Sequence, residues 1–322
     1  MTEREKGPAI AGALLPHHER FPYSGIKQRP TYEWPNGTRL AVYIGLNLEH
    51  FAFGEGQGAE LAPHAHHPDV LNYSWREYGN RVGVWRLIDL FDGLDLPVSV
   101  LVNSSIYGHC PEVMDAFRAR GDEVVGHGRT NSERQGVLDE PAERALIEEA
   151  TAVIEAFEGK RPAGWLGPWI SESRVTPDLL AERGYAYLLD WCMDDQPVWL
   201  STRNGGRILA VPYPQEVNDI PSIVARKDSA EQFADMIVDN FDEMLEQAIN
   251  TPLVMGIALH SYLIGQPTAS DTSGAPSGTS PIIGSASPNN GRRDRLACHG
   301  SRRSRIKGQC GTRLVSASHH PG

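Results

Sequence analysis

The sequence predicts an α/β fold built as a distorted parallel (β/α)7 barrel. Two observations carry this. From Arg39 to residue 260, apolar strand-like runs alternate with helical patterns in about seven β/α units. The chemically versatile side chains fall where those strands end, and in a parallel barrel the strand ends meet on the face that forms sites.

The strand-like runs are Leu40–Leu48, Pro97–Val102, Glu123–Val125, Ala163–Leu166, Tyr185–Leu189, Ile208–Val211 and Leu253–Leu259. Helical patterns lie between them. Arg81–Phe91 places apolar residues at 82, 84, 87, 88 and 91. Pro141–Phe157 opens with proline and then acidic residues, which suit a helix start. Thr176-Pro177 begins a short helix that stops at Gly184. Ser229 with Gln232 forms a capping box for a helix to about Ala248. No G-x-G-x-x-G follows the first strand and no P-loop occurs, which argues against nucleotide binding. Residues 1–38 form an N-terminal extension. Both it and residues 52–79 are rich in Pro, Gly, Tyr and His, as segments that build or cover a site often are.

The chain has 322 residues and 40% hydrophobic content, enough for one full core. It lacks an eighteen-residue apolar run, so no membrane partner is expected. The charged opening Met1–Lys6 has no apolar signal region, which predicts a cytoplasmic protein. Cys110, Cys192, Cys298 and Cys310 form no CxxC and read as free thiols, the first two in or near the core. A net charge of −11 argues against nucleic acid.

The charge changes sign near position 268. Residues 268–322 carry eight basic and two acidic residues, leaving 22 basic and 39 acidic in the catalytic stretch and extension before them. This tail is rich in Ser, Gly and Pro and has no periodicity. GC-rich back-translation with a shifted frame turns 268–283 into an amphipathic helical pattern. The tail is therefore expected to be out of frame, with a disordered tail as the alternative.

The first strand ends Asn47-Leu48-Glu49-His50, and alternation sends Asn47 and Glu49 to one side. A carboxylate there can bind a metal or act as a base. The third run ends Gly126-His127-Gly128-Arg129-Thr130-Asn131. His127 and Asn131 face one way if the segment turns as a helical start, and the glycines imply close backbone approach. Trp165 and Trp169 sit beside Gly and Pro in the segment that ends the fourth strand, as a pocket wall would. Asp190-Trp191 ends the fifth strand and His260 the last; an Asp near a His can orient it as a general acid. Four histidines, His50, His64, His66 and His67, crowd eighteen residues and read as solvated loop residues, or else as a source of an extra ligand.

Taken in order, Asn47-Leu48-Glu49, His127–Asn131, Arg161–Trp165, Asp190-Trp191 and Leu259-His260 resemble the motifs of the polysaccharide-deacetylase family over roughly residues 39–267. The resemblance implies carbon–nitrogen hydrolysis. It also implies that Glu49, His127 and Asn131 stand at the metal-binding positions and Asn47 at the position of the catalytic base. Asn cannot serve as a base, and Asn131 is a poor zinc ligand. The expected cofactor is therefore none or a weakly held divalent metal such as Zn²⁺. Tyr73–Gly83 and Gly265-Gln266-Pro267 resemble the branch of metal-independent allantoinases and cyclic imide hydrolases.

The expected function is hydrolysis of a small, cyclic amide, imide or ureide by a chain that forms a homo-oligomer. Water attacks near Glu49 and His127, and Asp190 orients His260 to protonate the leaving nitrogen. Arg161 positions the Asn47 region, and Trp165 and Trp191 line the substrate pocket. Two alternatives stay open: a metal-using polysaccharide or peptidoglycan deacetylase, and an inactive ligand-binding relative or frameshifted product.

Overall fold

A computed structural model describes residues 17–54, 58–63 and 66–269. The proposed out-of-frame segment lies, from residue 270 onward, outside the described residues, as does His64.

One curled sheet holds the fold together. Its strands are β1 (Leu40–Leu48), β2 (Ser99–Val102), β3 (Glu123–Gly126), β4 (Gly164–Trp165), β5 (Tyr187–Leu188), β6 (Val198–Ser201), β7 (Arg207–Ala210) and β8 (Leu253–His260). They run in the order β6-β7-β5-β4-β3-β2-β1-β8. Seven are parallel, as the periodicity predicts, and together they make the (β/α)7 barrel. The eighth, β6, pairs antiparallel with β7 and has no counterpart in the sequence reading. Its burial alternates weakly, so little periodic signal marked it.

The helices are α1 (Val70–Tyr78), α2 (Val84–Leu94), α3 (Ile106–His109), α4 (Pro111–Arg120), α5 (Glu140–Glu158), α6 (Thr176–Glu182), α7 (Ala230–Gln247) and α8 (Ser261–Ile264). The expected capping box forms at α7: Gln232 N–H donates to Ser229 Oγ at 3.2 Å and Ser229 N–H to Gln232 Oε1 at 2.7 Å. The helix expected over Arg81–Phe91 is the second half of a longer one, joined to α1 through a π-helical segment, Gly79–Gly83. Gly83 explains the irregularity. A Cβ there would lie 2.1 Å from the Ser261 carbonyl oxygen, so only glycine lets this helix seat against α8.

Alternation along β1 sorts its side chains by face. Leu40, Val42, Ile44, Leu46 and Leu48 join the core between sheet and helices, with Val84, Phe91, Phe117 and Phe233. Tyr43 packs inside the barrel with Leu101, Val125, Tyr187 and Tyr213. Asn47 and Glu49 share that inner side at its open end.

The sheet does not close between β7 and β8. The segment after β7 bridges the seam instead: Asn218 pairs with Ala258, whose N–H donates to Val217 O at 3.0 Å. This irregular bridge brings Asp219 against the end of β8.

The described part of the N-terminal extension straps the side of the barrel through Arg20–Asp178 at 2.9 Å and Arg29–Asp194 at 2.6 Å. Cys110 is part-buried, while Cys192 is exposed, contrary to its expected near-core position. It follows Trp191 in a loop rather than a strand. Among the described residues no helix is long and apolar enough to cross a membrane.

Candidate active site

At the strand ends Asn47, Glu49, His127, Asn131, Tyr213 and His260 line a cavity of about 140 Å³. Asn103, just past β2, holds the two sides of its floor in register. Its Oδ1 accepts from His50 N–H at 2.8 Å, and its amide nitrogen donates to the His127 carbonyl. Asn80 donates to the Glu49 carbonyl at 2.8 Å, so the π-helical segment fixes the end of β1 as well.

Glu49 is buried at the centre. Its Oε1 accepts from Asn131 Nδ2 at 2.7 Å and its Oε2 from the Tyr262 hydroxyl at 3.0 Å. His260 Nε2 lies 3.5 Å and His127 Nε2 3.8 Å from Oε1. Burial alone would raise the Glu49 pKa, but the charge of the neighbouring His260, with His127 close by, outweighs it and holds the carboxyl well below its usual range. Glu49 is therefore an anion that organises cations and donors, and such a stabilised anion is a weak base.

His260 is gripped by Asp219. Its Nδ1 bonds Asp219 Oδ1 at 2.6 Å and its backbone N–H bonds Oδ2 at 2.6 Å. Burial works against the imidazolium, yet Asp219 and then Glu49 push its pKa up to about 10. Burial pushes Asp219 upward against the pull of His260. At neutral pH the proton of this pair sits on the imidazole.

His127 is poised differently. Its Nδ1 lies 2.8 Å from the Leu166 carbonyl, which can only accept, so Nδ1 carries the hydrogen. Nε2 is buried at the cavity wall, 3.8 Å from Glu49 Oε1, with no hydrogen-bond partner among the described residues. The segment after it is not helical, as expected from the spacing, but irregular, with Gly128 at φ 66° packed on Pro168. His127 and Asn131 nevertheless both reach Glu49.

The rim is strained. Trp169 and Ile170 adopt left-handed φ values of 67° and 52°, which cost on the order of 1 kcal/mol or more each in non-glycine residues. Trp169 Nε1 donates to Asn131 O at 2.9 Å, and Arg134 lies 4.9 Å over its ring.

Of the residues expected in the site, Asn47, Glu49, His127, Asn131 and His260 come together. Four others do not. Asp190 accepts from Gly167 N–H at 2.8 Å rather than orienting His260. It forms with Glu172 a carboxyl pair that burial pushes upward. Arg161 donates to the Arg183 carbonyl at 2.9 Å and does not touch Asn47. Trp165 is fully buried between strand and helix, donating to Gln135 Oε1 at 3.1 Å. Trp191 bonds Glu172 and packs on Phe21 beside the N-terminal strap. His50 stacks on His109 at 4.1 Å outside the cavity, and His67 is exposed. Asp219, Tyr213, Tyr262 and Asn103 were not singled out by sequence. Each depends on a partner more than forty positions away or on the irregular seam, and no local period marks them.

The donor set does not suit the divalent metal that the sequence resemblance implies. Asn131 turns its amide nitrogen, a hydrogen-bond donor, onto Glu49 where a ligand atom is required. Among the described residues no three His, Cys, Asp or Glu side chains converge as a metal site.

No family profile matches the chain. It is 27% identical over 268 residues to a Schizosaccharomyces pombe protein assigned to the polysaccharide deacetylases, covering 74% of this chain and 83% of that one. Its fold superposes on a Pseudomonas aeruginosa structure assigned to the same enzymes with a TM-score of 0.66 and 29% identity, over 77% and 88% of the two chains. It superposes on the PuuE allantoinase with a TM-score of 0.64 and 26% identity, over 77% and 87%. Barrel, strand-end site and these likenesses together show a carbon–nitrogen hydrolase that is similar to the polysaccharide deacetylases and to an allantoinase.

Proposed function

We propose that this chain opens the ring of a small cyclic amide, imide or ureide by hydrolysis. The observation that carries the reading is the cavity itself. At about 140 Å³ it is close to the roughly 150 Å³ apolar cavity that holds one benzene ring, so it suits a single ring better than a glycan chain. The likeness to an allantoinase supports the same choice.

The residues suggest a division of labour. Water bound beside His127 gives a proton to Nε2 as its oxygen adds to the ring carbonyl carbon, and the carbonyl pair moves onto oxygen. As the tetrahedral carbon collapses, the C–N bond breaks. The imidazolium of His260 gives its Nε2 proton to the departing nitrogen. Asp219 keeps that imidazole charged and aimed. Glu49 holds the site together as the anion between both histidines, Asn131 and Tyr262. The proton on His127 then returns through solvent to His260.

The test is turnover by the purified chain of succinimide, phthalimide, hydantoin and allantoin, beside N-acetylglucosamine oligomers. Opening of at least one ring compound, lost in His260→Gln, is the expected result. Turnover of the N-acetylated oligomers alone would establish the deacetylase reading instead.

A further inference from the structure

We propose that the Tyr213 hydroxyl is the donor that stabilises the tetrahedral oxyanion. This rests on the ring-hydrolase reading above.

The inference follows from where protons must sit. The Leu259 carbonyl can only accept, and Asn47 Nδ2 lies 3.1 Å from it, so the NH₂ end of Asn47 faces that way. The same nitrogen lies 2.9 Å from the Tyr213 oxygen. An amide nitrogen has only hydrogens to offer. Tyr213 therefore accepts from Asn47, and its own proton is left for another acceptor. No described residue takes it. Tyr213 is 2% exposed and lines the cavity, so the proton's remaining outlet is a group bound there.

Several other donors around the cavity are committed. The Tyr262 hydroxyl and the Asn131 amide both serve Glu49. At the end of β4 the Leu166 N–H donates to Gly126 O at 2.9 Å and the Gly167 N–H to Asp190 at 2.8 Å. Pro168 has no N–H. His260 is engaged with the leaving nitrogen.

The asparagine at 47 gives this arrangement its sense. An aspartate there would accept the tyrosine proton and silence the donor. Asparagine turns its NH₂ end, which can only donate, onto the Tyr213 oxygen and so leaves Tyr213 a donor. Burial pushes the Tyr213 pKa above its ordinary value despite the bond from Asn47, so the hydroxyl keeps its proton through neutral pH. Gly45, two residues before Asn47 on the same face of β1, makes room for the ring. A Cβ there would already stand 3.6 Å from Tyr213 Cε2 and 3.1 Å from Leu101.

Tyr213→Phe keeps the ring and removes only the oxygen. Loss of one oxyanion donor lowers kcat by about 10²–10³-fold, and KM for the ring amide should stay within about threefold. A second readout needs no turnover: calorimetric binding of a cyclic phosphinic acid, whose tetrahedral anion mimics the intermediate. The wild type should bind it at least about tenfold more tightly than Tyr213→Phe, while both bind the flat amide alike. Its binding should also perturb a tyrosine ultraviolet band in the wild type and not in the variant. Wild-type kcat in Tyr213→Phe would overturn the proposal and leave the ring-hydrolase reading standing. If no ring compound is turned over, that reading fails by itself. Phosphinate binding then decides for Tyr213: weakened binding in the variant upholds the anion donor, and equal binding or none in the wild type overturns it.

Discussion

Asp219 holds His260 by two hydrogen bonds at once, side chain to imidazole Nδ1 and side chain to backbone N–H, both at 2.6 Å. The pair fixes the ring's position and its charge together. The bridging segment between β7 and β8 makes this possible, since it delivers Asp219 to the open seam of the barrel.

The pH dependence follows directly. His260 has its pKa raised from 6.5 to about 10, so a reaction that needs its proton persists through neutral pH and declines as pH rises through about 10. The stability His260 contributes has the same sign: it is complete below pH 6.5 and is lost through about pH 10. Asp219→Asn should lower kcat/KM by about 10²–10⁴-fold and move the alkaline limb downward. A pH–rate profile of both proteins checks this, and an unmoved limb would separate Asp219 from the acid's charge.

Asp190→Asn is the matching control. Asp190 supports the Gly167 amide, and an asparagine oxygen can accept the same bond. The alkaline limb should stay where it is, with kcat/KM within about threefold of wild type. A downward shift equal to that of Asp219→Asn would restore Asp190 as the orienting acid.

Glu49→Ala should act on stability as well as activity. It leaves the Nε2 side of the His260 imidazolium and the Asn131 amide buried without the carboxylate they face, a situation that costs about 3–5 kcal/mol. Urea unfolding of the two proteins measures the difference. A change below about 1 kcal/mol would mean that the carboxylate is not the hub of the network.

Trp169→Ala removes the rim of the cavity without touching His127 or His260. It should raise KM for a ring substrate by about 5–30-fold, the effect of about 1–2 kcal/mol of lost contact, with kcat nearly unchanged. Steady-state kinetics separates the two. An equal fall in kcat would place Trp169 in the chemical step.

Much of this was legible in the chain because β structure writes its face into a two-residue period. Asn47 and Glu49 could be assigned to the inner side of β1 from alternation alone, and the strand-end rule brought in His127 and His260. Asp190 and Trp191 also stand at a strand end, yet their side chains turn toward the N-terminal strap and Glu172. Being at the right end of a strand does not say which way the next residue points. Asp219, Tyr213 and Asn103 were invisible for the opposite reason. They lie in irregular backbone whose path is set by tertiary contacts, and their partners are distant in sequence. The close approach at Gly79 and Gly83 became visible only with the position of α8, whose Ser261 and Tyr262 pack against them.

The most direct measurement is kcat/KM of the purified chain on the cyclic amide, imide and ureide panel beside N-acetylglucosamine oligomers, before and after exhaustive dialysis against chelator. Ring opening of at least one panel compound, unchanged by chelation and abolished by His260→Gln, is the predicted result. Activity confined to the N-acetylated oligomers, or ring opening that vanishes with chelator and returns with zinc, would contradict it.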